Sequence, residues 1–345
     1  MANLAPPERE LSVLIGHHWR MHIVAAPDKF KGTASAFEIA QAIAAAAESA
    51  GSTCTTIPMA DGGEGTLEAL GGPNRTSRVT GPLGAPVDAE WRLDGQSAVI
   101  EMARSSGLMV AGGRTENDPM GATTTGVGEL IVEAIDAGAK MIIIGVGGSA
   151  TTDGGLGALD VLGSAARVKG VDIRVACDVR TRFTDAAQLF GGQKGASSAQ
   201  ITMLTGRLNA LVGTYRERFG VDVEALDRAG AAGGLAGGLA AVGATLVDGF
   251  DIVAAQLGLD DAIAKADLVV TGEGFIDNES FDGKVVGGIA GLAKAHGVPV
   301  LAVAGQVFDD ADERIDAISL AKKFGLERAL EAPADCVTKA VAERL

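Results

Sequence analysis

Residues 141–144 read Met-Ile-Ile-Ile between Lys140 and Gly145, an apolar run without polar alternation. A strand that is apolar on both faces must be covered on both, as in a parallel sheet flanked by helices. Other strand-like runs recur at His22–Ala26, Thr53–Met59, Ser97–Met102, Val171–Ala176, Asp267–Thr271, Val298–Ala304 and Ile315–Leu320. Between them lie helical patterns at 35–50, 126–137, 198–219, 230–244, 284–296 and 336–344. Ser35 with Glu38 three residues on forms a capping box, and Gly51 supplies a stop. Strands alternating with helices predict an α/β fold with mostly parallel sheet.

The 345 residues include 49 Gly but only 10 Phe, 2 Trp and 1 Tyr, which argues against an aromatic stacking surface. The formal charge of −15 disfavours nucleic acid and anionic membrane as partners, so an anionic substrate requires a locally positive pocket. Cys54, Cys177 and Cys336 are too few and too scattered for a disulfide framework or a CxxC metal site, and a reducing cytoplasm is the simplest setting. No apolar run approaches a membrane span. Residues 1–20, rich in proline and charge before Met21, read as a poorly ordered extension with Met21 as an alternative start.

Five loops follow apolar strands and combine glycine with carboxylate, hydroxyl or lysine. They are Ala26-Pro-Asp-Lys-Phe-Lys-Gly32, Met59-Ala-Asp-Gly-Gly-Glu-Gly-Thr66, Gly145-Val-Gly-Gly-Ser-Ala-Thr-Thr-Asp-Gly-Gly155, Ala176-Cys-Asp-Val179 and Thr271-Gly-Glu-Gly-Phe-Ile-Asp277. Ligands of open α/β sheets bind beyond the carboxyl ends of strands, where these loops fall. In the third loop Gly147 and Gly148 permit close backbone approach, while Ser149, Thr151 and Thr152 offer hydroxyls to a phosphate. The same residues also suit a plain tight turn, and the Gly145-x-Gly147-x-x-Ala150 match to a dinucleotide fingerprint is short.

Seven acids, Asp28, Asp61, Glu64, Asp153, Asp178, Glu273 and Asp277, stand in these loops. Any one can be a turn former. Together they offer the oxygen donors that Mg²⁺ takes alongside water and phosphate. Lys29, Lys31, Lys194 and Lys284 could supply the local positive field, and Arg104 with Ser105 and Ser106 could grip a small carboxylate or cap a helix. His22 and His296 have no Ser or Cys elbow nearby, which disfavours a Ser/His/Asp hydrolase.

In order along residues 21–345, these motifs resemble those of the glycerate kinase family. Ala26 to Gly32 is similar to the family's APDSFKG, and Ala60 to Thr66 is identical to its ADGGEGT. Val79–Gly84, Ile100–Ala103, Gly126–Ile131, Gly147–Gly155, Val175–Val179, Gln193–Ala196, Gly230–Gly234 and Thr271–Gly274 also fall in place. The resemblance implies two α/β domains: a Rossmann-like one from residues 21–66 and 286–345, and an inserted one over 67–285. It implies ATP as cosubstrate, Mg²⁺, and D-glycerate phosphorylated at the 2-hydroxyl, with homo-oligomerisation compatible.

On the same basis Asp28, Lys31, Asp61, Asp178 and Lys284 are expected to be catalytic. Gly147, Gly148, Ser149, Thr151, Thr152 and Lys194 are expected at the cosubstrate, Arg104, Ser105, Ser106 and Glu273 at the acceptor, and Asp61, Glu64 and Asp277 at the metal. Which acid orients the hydroxyl is left open. Two departures bear on the acceptor: the segment between Leu162 and Val171 is shorter than is usual in the family, and Val179–Thr184 replaces its Asn-Pro-Leu stretch. A kinase for a related hydroxy acid, an NAD-dependent dehydrogenase and a non-catalytic metabolite sensor are the competing readings.

Overall fold

The computed structural model describes residues 20–281 and 284–345. Nearly all of the expected extension over residues 1–20 lies outside the described residues, as does Gly283.

Eleven strands occur among the described residues: β1 (His22–Ala25), β2 (Thr53–Thr56), β3 (Arg75–Thr80), β4 (Pro86–Asp94), β5 (Ser97–Glu101), β6 (Met141–Gly145), β7 (Asp172–Cys177), β8 (Thr245–Asp248), β9 (Leu268–Ile276), β10 (Val300–Val307) and β11 (Asp316–Ser319). They form two sheets, one of order β11-β10-β9-β1-β2 and one of order β3-β4-β5-β6-β7-β8. The first is wholly parallel; in the second, β3, β4 and β5 are antiparallel neighbours and the rest pair in parallel. The α/β expectation holds, and both chain ends feed the first sheet.

Where the chain returns to that sheet differs from the expectation. Strand β9 pairs with β1 and β10, so residues 268–276 belong to the sheet of the chain ends and not with the segment 67–285. Parallel pairing between Val24 and Val269 spans more than two hundred residues, and no local pattern announces it. The turn-rich stretch at Gly81–Gly84 closes the β3–β4 hairpin, with Gly81 N–H donating to the Ala85 carbonyl (2.7 Å).

The capping box at Ser35 and Glu38 forms as its residues dictate, and the 198–219 helix keeps its expected ends behind a second box at Ser197 and Gln200. Residues 230–244 depart from one continuous helix. A 3₁₀ turn, Ala231–Gly234, carries positive φ at Ala232 and Gly233 before the helix Leu235–Ala241. The bend lays this segment against the Thr151–Gly155 loop, where Gly154 N–H reaches the Gly233 carbonyl (3.1 Å). The last helix starts earlier than expected, at Pro333, where proline suits a first turn.

Each sheet has its own core. Ile39, Ile43 and Val337 from helices 36–49 and 333–342 cover Ile23, Val270 and Val303 of the first. Trp91, Leu130, Ile144, Leu204 and Tyr215 belong to the core of the second. A third cluster lies between the sheets and joins Val24 and Val269 to Ile143 and Ala176 through Phe250, Val253 and Ile289. Gly249 opens the helix 249–257 at this junction, and a Cβ there would stand 1.7 Å from the Asp61 carbonyl oxygen.

Gly249→Ala therefore forces the two sheets apart, and we expect it to lower unfolding stability in urea by about 1–3 kcal/mol or more. Gly291→Ala, on an exposed face of the helix 285–296 with open space around it, should be neutral or stabilise by up to about 1 kcal/mol. Equal effects of the two changes would contradict the close contact at Gly249.

Candidate active site

The first sheet has its topological switch point between β9 and β1, because the chain proceeds from β1 outward to β2 on one side and from β9 outward to β10 and β11 on the other. Such a point leaves a crevice beyond the carboxyl ends of the two strands. The loop after β1 is tied over it by Asp28 N–H donating to the Gly272 carbonyl (2.8 Å). Phe30, buried beneath, anchors the loop to the core.

The loop after β2 crosses from this crevice to the other sheet. Met59 N–H donates to the Pro27 carbonyl (2.9 Å), and the Gly62 carbonyl accepts from Val146 N–H (3.0 Å) at the end of β6. Buried Glu101 then takes N–H groups of Gly65 (2.7 Å) and Leu67 (2.9 Å) on one oxygen. Gly147 has no side chain because one would meet the Gly63 Cα at 2.6 Å. Two loops from each sheet, those after β1, β9, β6 and β7, thus converge around this crossing loop.

They enclose a cleft of about 290 Å³. Carboxylates Asp28, Asp61, Glu64, Asp178 and Glu273 line it, with Lys29, Lys31 and Lys284 among them, and Gly147 and Gly148 present backbone from the second sheet. All five residues expected to be catalytic line this one cleft, together with Glu64 and Glu273. Lys29, a candidate for the local positive field, stands 3.7 Å from Asp28. Phe275 at the rim was not foreseen. An exposed phenylalanine leaves no periodic trace in a sequence.

Burial sets the charge states. It pushes Asp28 up from 3.8 to about 6, with Asp61 adding to the rise and Lys29 opposing it. Burial likewise pushes Glu273 up from 4.5 to about 7, against the hydrogen bonding of Ser280 and with Asp28 assisting. One Glu273 oxygen is buried without a hydrogen-bond partner among the described residues. Asp178 stands open on the cleft face, yet the protein around it and the nearby Asp61 raise it too. Burial works against the charge of Lys29, but Asp28, Asp61, Glu64 and Glu101 outweigh it and raise that lysine.

Other expected site residues lie elsewhere. Thr151 and Thr152 are buried, and the Lys194 ammonium, also buried, donates to the Thr151 carbonyl (2.6 Å). Burial pulls Lys194 down to about 7. These residues hold the third loop from behind, whereas Ser149 is half-buried beside Gly148. Asp153 is consumed structurally, accepting from Thr124 N–H (2.9 Å) and Oγ1 (2.8 Å), Gly155 N–H (3.1 Å) and Gly157 N–H (3.2 Å).

Arg104 lines a neighbouring pocket of about 480 Å³ that shares Glu64 and Gly148 with the cleft. Its guanidinium is already matched by Glu68, Glu90 (3.0 Å) and Glu101 (3.4 Å), and Ser105 and Ser106 are buried beneath it. Asp277 accepts from Ser280 N–H (3.1 Å) and Oγ (3.3 Å), closing the turn after β9. Among the described residues no group of three or more His, Cys, Asp or Glu converges as a ready metal cage.

Two supports went unseen in the sequence. Arg228, at a left-handed φ of 69°, donates to the Cys177 carbonyl (2.8 Å) and pairs with Asp248 (2.9 Å), fixing the strand end that presents Asp178. Asp248 in turn caps the helix that begins at Gly249.

The family model described as the glycerate kinase family matches residues 23–167 and 163–344. The glycerate 2-kinase of Escherichia coli K12 is 41% identical over 330 residues, covering 84% of this chain and 86% of that protein. The glycerate kinase of Bacillus subtilis strain 168 is 38% identical over 332 residues, covering 85% and 87%. A crystal structure assigned as glycerate kinase 2 from Salmonella typhimurium LT2 superposes with a TM-score of 0.77 at 37% identity, over 94% of this chain and 97% of that one. The two matched segments meet at 163–167, in the connection that enters the amino end of β7. The cleft is at the carboxyl end of that strand, about 20 Å away at the rise of an extended chain.

Glu273 holds its proton more tightly folded than unfolded, so the fold loses stability as pH rises from 4.5 to about 7. Glu273→Gln removes that contribution, and its urea midpoint should fall less over the same interval than that of the wild type. An unchanged pH slope would contradict a buried, proton-holding carboxyl.

Proposed function

The chain belongs to the glycerate kinase family, and from that premise we propose that the cleft transfers the γ-phosphoryl group of ATP to the 2-hydroxyl of D-glycerate. The observation that carries this reading is the gathering of three lysines and five carboxylates at the switch-point crevice, facing the glycine backbone of the second sheet. Phosphoryl transfer asks a protein mainly for alignment and charge neutralisation, and both ingredients are on the cleft wall.

Lys29, Lys31 and Lys284 are the cations that would receive the phosphates. Asp28 and Glu273 are the acids whose raised values suit them to take the proton of the acceptor hydroxyl near neutral pH. Gly147 and Gly148 leave backbone free for close approach of a small anion, and Lys194 holds that loop in place through Thr151. The open carboxylates Asp61, Glu64 and Asp178 have the oxygen chemistry that Mg²⁺ prefers. Their looseness as a set suits an ion that keeps waters and phosphate oxygens as ligands. When bound, the ion would offset charge on the transferred group. Asp277 is engaged by Ser280 and is assigned to shaping the turn.

The short connection before Val171 enters at the end of β7 remote from the cleft, and in the altered stretch Phe183 and Thr181 are buried in packing. The altered stretch nevertheless begins at Val179, the residue after cleft-lining Asp178, so a related small hydroxy acid is the acceptor to set against glycerate. Among the described residues no helix is long and apolar enough to cross a membrane.

ADP release measured with D-glycerate, L-glycerate, glycolate and hydroxypyruvate should be fastest with D-glycerate. Asp28→Asn, Asp61→Asn and Glu273→Gln should each lower kcat by about 10²–10⁴ while circular dichroism is retained. ATP turnover with none of the acids, or near-wild-type rates in all three variants, would contradict the assignment.

A further inference from the structure

At the outer edge of the cleft two phenylalanines stand in water. Phe275 lines the cleft beside Gly274 and Lys284 and is 47% exposed; Phe308 is 46% exposed. Their rings meet edge to face with centroids 6.5 Å apart at 69°. The backbone fixes the pair: Phe275 is opposite Gln306 in the β9–β10 register, and Phe308 N–H donates to the Ile276 carbonyl (2.8 Å). Leaving two large apolar rings in water is costly, and this chain has only 10 Phe.

The position of the pair gives it a direction. Strand β10 lies on the side of β9 away from β1, so Phe308 extends the cleft away from Asp61 and the glycine backbone of the second sheet. The lysines near β1 and β9 occupy the middle, with Gly274 close enough to the first loop that a Cβ there would meet Lys31 N at 3.2 Å. The charged middle suits a polyphosphate. The apolar rim has no complement on a three-carbon hydroxy acid, but it matches a purine, which stacks on aromatic faces.

We propose that Phe275 and Phe308 form the nucleobase site, with the adenine of ATP packed on the exposed rings and its phosphates running inward over Lys31 and Lys284. This rests on the kinase reading above. The pair is continuous with the cleft through Phe275, which favours a ligand already reaching into the cleft over a separate docked protein.

The test is calorimetric titration of the intact protein with ADP and, separately, with inorganic tripolyphosphate, which has charge but no base. In Phe275→Ala/Phe308→Ala, ADP should bind at least about tenfold more weakly, while tripolyphosphate changes by less than about twofold. The KM for ATP should rise in parallel, with the KM for D-glycerate and the melting temperature held. Phe275→Trp should retain ADP binding. Unchanged ADP affinity in the double variant, an equal loss for tripolyphosphate, or a rise confined to the D-glycerate KM would overturn the proposal. A wild-type protein that binds ADP but leaves glycerate unphosphorylated would contradict the kinase reading and leave the nucleobase comparison intact. A wild type that binds no ADP would overturn both.

Discussion

The backbone of residues 61–63 is pressed against two other backbones at once, at Gly249 on one side and Gly147 on the other. Only glycine permits these approaches. The hydrogen bond from Val146 N–H to the Gly62 carbonyl locks the contact, and the two N–H groups taken by Glu101 hold the following turn. One loop of the first sheet is thereby built into the second. Everything in the cleft inherits its geometry from that splice: Asp61 and Glu64 ride on the crossing loop, Asp28 and Glu273 come from one sheet, and Gly147 and Asp178 from the other. The shared apolar cluster around Phe250 and Ile289 supplies the burial behind it.

Such a junction explains how an acidic protein can accommodate anions. The formal charge of −15 is spread over the whole molecule, whereas the cleft sets three lysines among carboxylates that burial pushes toward neutrality, Asp178 among them and most clearly Asp28 and Glu273. Protonated acids no longer repel a phosphate as charged ones do. The same burial that lifts these two acids makes them useful near neutral pH, so a cost in stability and a chemical capacity have one origin.

How far the sequence reaches depends on whether a feature is local. The capping box at Ser35 and the apolar run at 141–144 are written in adjacent residues and form as read, and the box at Ser197 and Gln200, found only in the structure, is equally local. The strand-end acids were also legible, because glycine beside carboxylate after an apolar run marks a loop that must bend tightly and still present a polar group. Direction was not legible. Thr151, Thr152, Ser105 and Ser106 have the hydroxyls of binding residues, yet each is buried, and Arg104 spends its charge on Glu101 three residues before it, Glu90 of β4 and the more distant Glu68. The place of β9 and the brace at Arg228 depend on pairings across long sequence separations, which single-chain patterns do not encode.

The proposed reaction makes a phosphate ester at carbon 2 of D-glycerate. Proton-coupled ³¹P NMR of a reaction containing the protein, ATP, Mg²⁺ and D-glycerate reads it directly. Transfer to the 2-hydroxyl gives a new phosphomonoester signal split into a doublet by the single proton on carbon 2, growing as ADP appears. A triplet from the two protons of carbon 3, or ADP appearing with inorganic phosphate alone, would contradict it.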